Sequence, residues 1–87
     1  MPRKEKSLSE RIADDILAMI TIDKKFAIGD KLPNENELST ELKVSRTTLR
    51  EAIRILVAHN VLEIKRGKGT YVKNHEGFNE NLGLEEF

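Results

Sequence analysis

A mostly α-helical domain carrying one small β-hairpin is what this sequence predicts, and three observations carry that expectation. Residues 45–59 place Leu49, Ala52, Ile53, Leu56 and Val57 at the i, i+3, i+4, i+7, i+8 spacing of a buried helical stripe. Two earlier segments each open on a helix-capping signature and continue with apolar residues at helical spacing. Beyond residue 60 the period changes to two, in a pair of short segments separated by Arg66-Gly67-Lys68-Gly69.

In chain order, residues 1–6 are polar and charged and are expected to form a disordered N-terminal tail. Ser7-Leu8-Ser9-Glu10 has the serine-to-glutamate spacing of a capping box, opening a first helix from about Leu8 to Asp23 with Ile12, Ile16, Met19 and Ile20 inward. Its other side bears Asp14 and Asp15, the wrong sign for a polyanion. Gly29-Asp30 marks a turn, and Lys31-Leu32 reads as a very short strand before Pro33. Asn34-Glu35-Asn36-Glu37 opens a second helix of about two turns, through Leu42, with Leu38 and Leu42 inward.

Lys43-Val44 makes a tight turn, and Ser45 is an N-cap for the third helix. Two short helices joined this way, the second rich in arginine, form a helix-turn-helix pattern. Asn60 suits the left-handed position that follows a helix. Val61 to Lys65 then alternates like a half-buried strand, and Thr70 to Lys73 like its partner, with Tyr71 packing the hairpin against the third helix. From Asn74 the chain turns polar and acidic, so residues 74–87 read as a linker towards a domain beyond them.

Composition narrows the class. Eighty-seven residues suffice for one small domain, and the absence of cysteine excludes disulfides and thiolate zinc sites. No run reaches the ~18 apolar residues of a membrane span, which fits a cytoplasmic protein with no membrane partner. The formal net charge of zero conceals a strong asymmetry. Residues 43–73 hold eight basic side chains against two acids, residues 7–42 four against eight, and residues 74–87 four acids with no lysine or arginine. Such segregation points to a local anion-binding face.

The candidates for that face lie at the start of the third helix and at the hairpin tip. Arg46 opens the first turn, Arg50 and Arg54 stand one above the other beside the apolar stripe, and Thr47 is next to them. All three cations are arginine, whose planar fork fits phosphate oxygens and guanine edges, and a helix that starts this way fits a DNA major groove. For Arg46 and Arg50, base-edge readout and phosphate contact both remain open. Arg54 suits either a phosphate or an intrahelical pair with Glu51. Thr47 and Thr48 can satisfy first-turn amides, phosphates or a thymine methyl. Arg66, Gly67 and Lys68 form a tip whose backbone can approach a phosphate or a minor groove; the plainer reading is a charged turn that keeps an edge strand soluble. Lys43 and Lys65 are lesser phosphate neighbours. His59 suits a helix C-terminus, and His75 stands alone, so no metal site is expected. Glu35 and Glu37 read as capping acids. No catalytic pairing and no cofactor-binding fingerprint is present.

The string LPNENELSTELKVSRTTLREAIRILVAHNVLEIKRGKGTYV, residues 32–72, resembles the DNA-binding domain of the GntR family of bacterial transcriptional regulators, its FadR-like branch in particular. The resemblance reaches back through the first helix to about residue 7. It implies a winged helix-turn-helix over residues 7–73, acting as a sequence-specific transcriptional regulator, typically an effector-responsive repressor. It further implies a homodimer on a pseudo-palindromic double-stranded operator, with a small-molecule effector bound by a C-terminal domain absent from this chain. DNA contact is implied for Arg46, Thr47, Thr48, Arg50, Arg66 and Gly67. Two positions depart from the pattern: Asn36 stands where the branch usually has a DNA-contacting arginine, and Asn60 where it usually has glycine. The rival reading is a winged helix used for protein contact, with only non-specific DNA affinity; nothing in the sequence supports an enzyme.

Overall fold

A computed structural model describes residues 6–73 of the chain. Three helices, α1 (Leu8–Thr21), α2 (Glu35–Leu42) and α3 (Arg46–Ala58), are followed by an antiparallel hairpin of β1 (Leu62–Lys65) and β2 (Gly69–Val72). The tail and linker expectations for residues 1–5 and 74–87, with His75 among them, lie outside the described residues.

Each helix begins where a side chain replaces the missing backbone acceptor. Ser7 caps α1 in a complete capping box with Glu10, Asn34 Oδ1 accepts from the Glu37 amide at 2.9 Å, and Ser45 Oγ accepts from the Thr48 amide at 3.1 Å. The ends of α2 and α3 share one device. Lys43 adopts φ +60° and Asn60 φ +66°. The next amide then reaches back five residues, Val44 to the Ser39 carbonyl and Val61 to that of Leu56. The left-handed residue itself bonds three back, Lys43 to Thr40 and Asn60 to Val57. This is the Schellman arrangement, and it turns Val44 and Val61 inward; Val61 is fully buried and Val44 packs on the core. The first helix ends at Thr21, two residues short of the expected Asp23, where the Asp23 amide skips its helical acceptor and bonds the Ala18 carbonyl already used by Ile22.

The core is built by α1 and α3, with α2 closing one side and the base of the hairpin another. Ile12, Ile16 and Ile20 meet Leu49, Ala52 and Leu56, with Leu38, Val61, Leu62 and Val72 completing the cluster. Leu42 contributes only partly buried surface, beside the fully inward Leu38.

The hairpin pairs Leu62 with Val72, Glu63 with Tyr71, Ile64 with Thr70 and Lys65 with Gly69. This register corrects two expectations. Opposed residues share a sheet face and successive ones alternate. Leu62 and Val72 point into the core, so Tyr71 lies on the opposite face, where the Lys65 ammonium sits 4.6 Å from its ring centroid. Tyr71 therefore does not pack the hairpin onto α3. Ile64 is 57% exposed rather than half-buried, since only the base of the hairpin reaches the core and the rest projects past it. Lys31 forms a single bridge to Tyr71 instead of a strand, held by the Leu32 amide on the Thr70 carbonyl and the Val72 amide on that of Asp30.

Candidate nucleic-acid interface

The helix-turn-helix brings the first turn of α2 against the first turns of α3, and side chains lock that contact. Glu35 leads α2 and faces Arg50: Arg50 Nε donates to Glu35 Oε2 at 2.9 Å and Nη2 to Oε1 at 3.1 Å. Such a fork-to-fork pair fixes direction as well as distance. One residue on, Asn36 Oδ1 accepts from Arg46 Nη1 at 3.0 Å. Both arginines of the expected face are thus anchored to α2 while remaining exposed. The hydrogen bonds from Arg50 hold the Glu35 carboxyl below its ordinary range; loss of solvent opposes them, and the charges of Arg50 and then Arg46 add lesser help. Reciprocally, Glu35 pushes the Arg50 guanidinium up.

These anchors were not legible as such in the sequence. Glu35 read as a capping acid; it leads the helix, but its carboxylate is spent on Arg50, and the cap is made by Asn34. No periodicity within one helix could reveal a contact made across the turn.

The remaining candidates divide by geometry. Thr48 is drawn into the cap, its Oγ1 accepting from the Ser45 hydroxyl at 3.0 Å, and keeps its own proton to donate. Thr47 is exposed beside Arg50. The Glu51–Arg54 pair does not form: Glu51 turns towards α1 and accepts from Ser9 Oγ at 2.7 Å, and among the described residues no ion pair reaches Arg54. Arg54 stays exposed on the same side as Arg50, one turn along.

At the hairpin tip, Arg66, Gly67 and Lys68 are all exposed. The Lys68 amide closes a tight turn on the Lys65 carbonyl at 2.8 Å, with Gly67 at φ +77°. A positive φ at the third residue alone makes this a type II turn, which glycine fits without strain. One cation escaped the sequence reading. The Lys31 side chain lies along the hairpin, its Cε only 2.7 Å from where a Cβ on Gly69 would stand. Lys31 and Lys68 line one groove of about 270 Å³ with Glu35, Ile53 and Thr70. That groove runs from the start of α2 past Ile53 in the middle of α3 to the hairpin, so Glu35, the anchor of Arg50, and the basic tip border a common surface. Among the described residues no group of histidine, cysteine and carboxylate side chains is placed to hold a metal ion, and no helix is long and apolar enough to cross a membrane.

Three helices with a basic hairpin beside the second helix of a helix-turn-helix define a winged helix-turn-helix protein. Residues 8–72 match the family described as bacterial regulatory proteins, gntR family, and the chain belongs to that family. It is 47% identical over 68 residues to the mannosyl-D-glycerate transport/metabolism system repressor MngR of Escherichia coli (strain K12), covering 78% of this chain and 28% of that one. Among solved structures it is similar to Streptococcus agalactiae GntR (43% identity, TM-score 0.72, 79% of this chain and 32% of that one). It is also similar to AraR(DBD) in complex with operator ORR3 (32% identity, TM-score 0.68, 83% of this chain and 89% of that one). The chain spans less than a third of the length of the curated regulators it matches here.

Proposed function

We propose that residues 7–73 are the DNA-reading unit of a transcriptional regulator, with α3 in the major groove and the hairpin wing on the adjacent backbone or minor groove. One observation carries this reading. The two arginines near the start of α3 are held in place by α2, and Glu35, the anchor of Arg50, lines one groove with Lys31 and the wing residue Lys68. Fixed forks suit base edges, whereas an exposed basic tip suits phosphates. Arg46 and Arg50 are accordingly assigned to base readout. Thr47, Thr48 and Arg54 are assigned to the flanking backbone, and Arg66, Gly67 and Lys68, with Lys31 behind them, to the wing contact. The similarity to AraR(DBD), whose structure holds an operator, supports the assignment.

In this reading the protein is a cytoplasmic repressor and not an enzyme. Residues 1–6 are a tail, residues 74–87 a linker to a C-terminal domain that binds a small-molecule effector, and two copies meet a pseudo-palindromic operator. The deciding experiment is selection of bound duplexes from a random pool, followed by salt-titrated binding of the selected sequence and a scrambled control. The expected outcome is a short enriched motif with dyad symmetry and discrimination that persists as salt rises. Equal, steeply salt-dependent binding to every duplex would defeat the reading and leave a winged helix used for protein contact.

A further inference from the structure

Arg46 and Arg50 are anchored in different ways, and the difference bears on what each can read. A guanidinium carries five N–H donors arranged along its edges and no acceptor, so each anchor that it satisfies removes particular donors. Glu35 takes Nε and one hydrogen of Nη2 from Arg50. What Arg50 has left is its far end, Nη1 and the second hydrogen of Nη2. Asn36 takes a single donor, Nη1, from Arg46. That leaves Arg46 its Nε–Nη2 edge, two parallel donors matching the O6 and N7 acceptors of guanine. The two anchors also differ in charge. A carboxylate compensates Arg50, whereas the neutral amide leaves the full charge of Arg46 in place. Asn36 is itself exposed, on the first turn of α2, and its side-chain amide bonds nothing else among the described residues.

We propose that Asn36 is a specificity-determining positioning residue: its Oδ1 aims Arg46 so that the Nε–Nη2 edge meets one guanine, without itself adding or removing charge at the interface. The inference rests on the DNA-reading function proposed above. Without the anchor, a long side chain at the first position of α3 has several rotamers in reach of both bases and phosphates. Its affinity for DNA survives in most of them; its preference for one base does not.

The test is duplex selection with the unaltered chain, Asn36→Ala, Asn36→Asp, Arg46→Ala and the Asn36→Ala/Arg46→Ala double variant, each with a salt titration and a thermal unfolding curve. Arg46→Ala identifies the base pair that Arg46 reads. Asn36→Ala is expected to weaken preference at that same base pair by roughly three- to tenfold, the size of one typical net hydrogen bond. Preferences elsewhere, the salt slope and the unfolding midpoint stay as they were. The double variant loses no more at that position than Arg46→Ala does, and Asn36→Asp, which keeps the acceptor, restores the preference. Retention of the preference by Asn36→Ala overturns the proposal. So does an even loss at all positions accompanied by a lower unfolding midpoint, the signature of a structural role. If the unaltered chain enriches no motif at all, the DNA-reading function falls first and this inference falls with it.

Discussion

The Glu35 carboxylate and the Arg50 guanidinium meet edge to edge across the turn between α2 and α3, with both oxygens engaged at 2.9 and 3.1 Å. The pair is exposed, so its contribution to folding is small; its effect is on direction. It consumes one edge of Arg50, cancels much of its charge, and ties the start of the recognition helix to the helix before it. A protein that reads bases benefits from such a restraint, because the side chain is ordered before DNA arrives.

The first prediction concerns acid. The Glu35 carboxyl is held below the ordinary glutamate value of about 4.3 by its bonds to Arg50. A depressed folded-state value means that the stabilisation is present above the unfolded value and is lost as pH falls through the folded one. Neutral and mildly acidic solutions therefore leave the pair intact. In a carbon-detected titration, Glu35 should protonate below the ordinary glutamate range, and Arg50→Ala should bring it back up towards that range. The same Glu35 titration in the unaltered chain and in Arg50→Ala would remove the pair as a solution feature.

A second prediction separates the recognition helix from the wing. Arg50→Ala should cost about 1–3 kcal/mol of discrimination between the selected sequence and one changed at its contact. Because Glu35 already compensates Arg50, the salt slope should fall by less than one. Arg66→Ala and Lys68→Ala should weaken binding to all duplexes alike and lower the salt slope by about one each. Salt-titrated fluorescence anisotropy on matched and mismatched duplexes distinguishes these patterns, and a wing variant that loses sequence preference while keeping its slope would reverse the assignment.

The third prediction is structural and lies at the wing base. Gly69 has φ +135°, a region closed to side chains, and a Cβ there would stand 2.7 Å from Lys31 Cε. Backbone strain of this kind costs about 1–3 kcal/mol, whereas the Lys31 side chain can swing aside at little cost. Gly69→Ala should therefore destabilise the chain to nearly the same extent with Lys31 present or replaced by alanine. Denaturant unfolding of the single and double variants tests this; full rescue by Lys31→Ala would show that crowding, and not φ, makes glycine necessary.

What the sequence made legible was whatever repeats at a fixed period or sits at a chain terminus of an element. The buried stripes Ile12–Ile16–Ile20 and Leu49–Ala52–Leu56, the caps at Ser7, Asn34 and Ser45, and the left-handed Asn60 were all expected and all found. Contacts between elements were not. Glu35 with Arg50, Asn36 with Arg46, Ser9 with Glu51 and Lys31 along Gly69 join residues at least ten positions apart. No local rule ranks such pairs, since their geometry depends on how the helices cross. Tyr71 and Ile64 were misplaced for a related reason. Alternation gives the two faces of a hairpin but not which face the helices cover, nor how far the hairpin extends beyond them.

The last prediction uses the two helix ends. Lys43 and Asn60 occupy equivalent left-handed positions in matching Schellman turns. The conformation crowds any Cβ, costing a residue such as lysine about 1–2 kcal/mol, but asparagine less because its short polar side chain suits it. Glycine removes that cost and partly offsets the gain with a freer unfolded chain. Lys43→Gly should therefore stabilise the domain by about 0.5–1 kcal/mol, and Asn60→Gly by only a few tenths. In a domain of this size the larger gain corresponds to a rise of about 2–8 °C in Tm. Lys43→Ala, which removes the charge but keeps a Cβ, should leave Tm nearly unchanged. If Lys43→Ala and Lys43→Gly instead raised Tm equally, relief of lysine's charge rather than of its backbone would be the cause, and the left-handed turn at the centre of the helix-turn-helix would carry no strain.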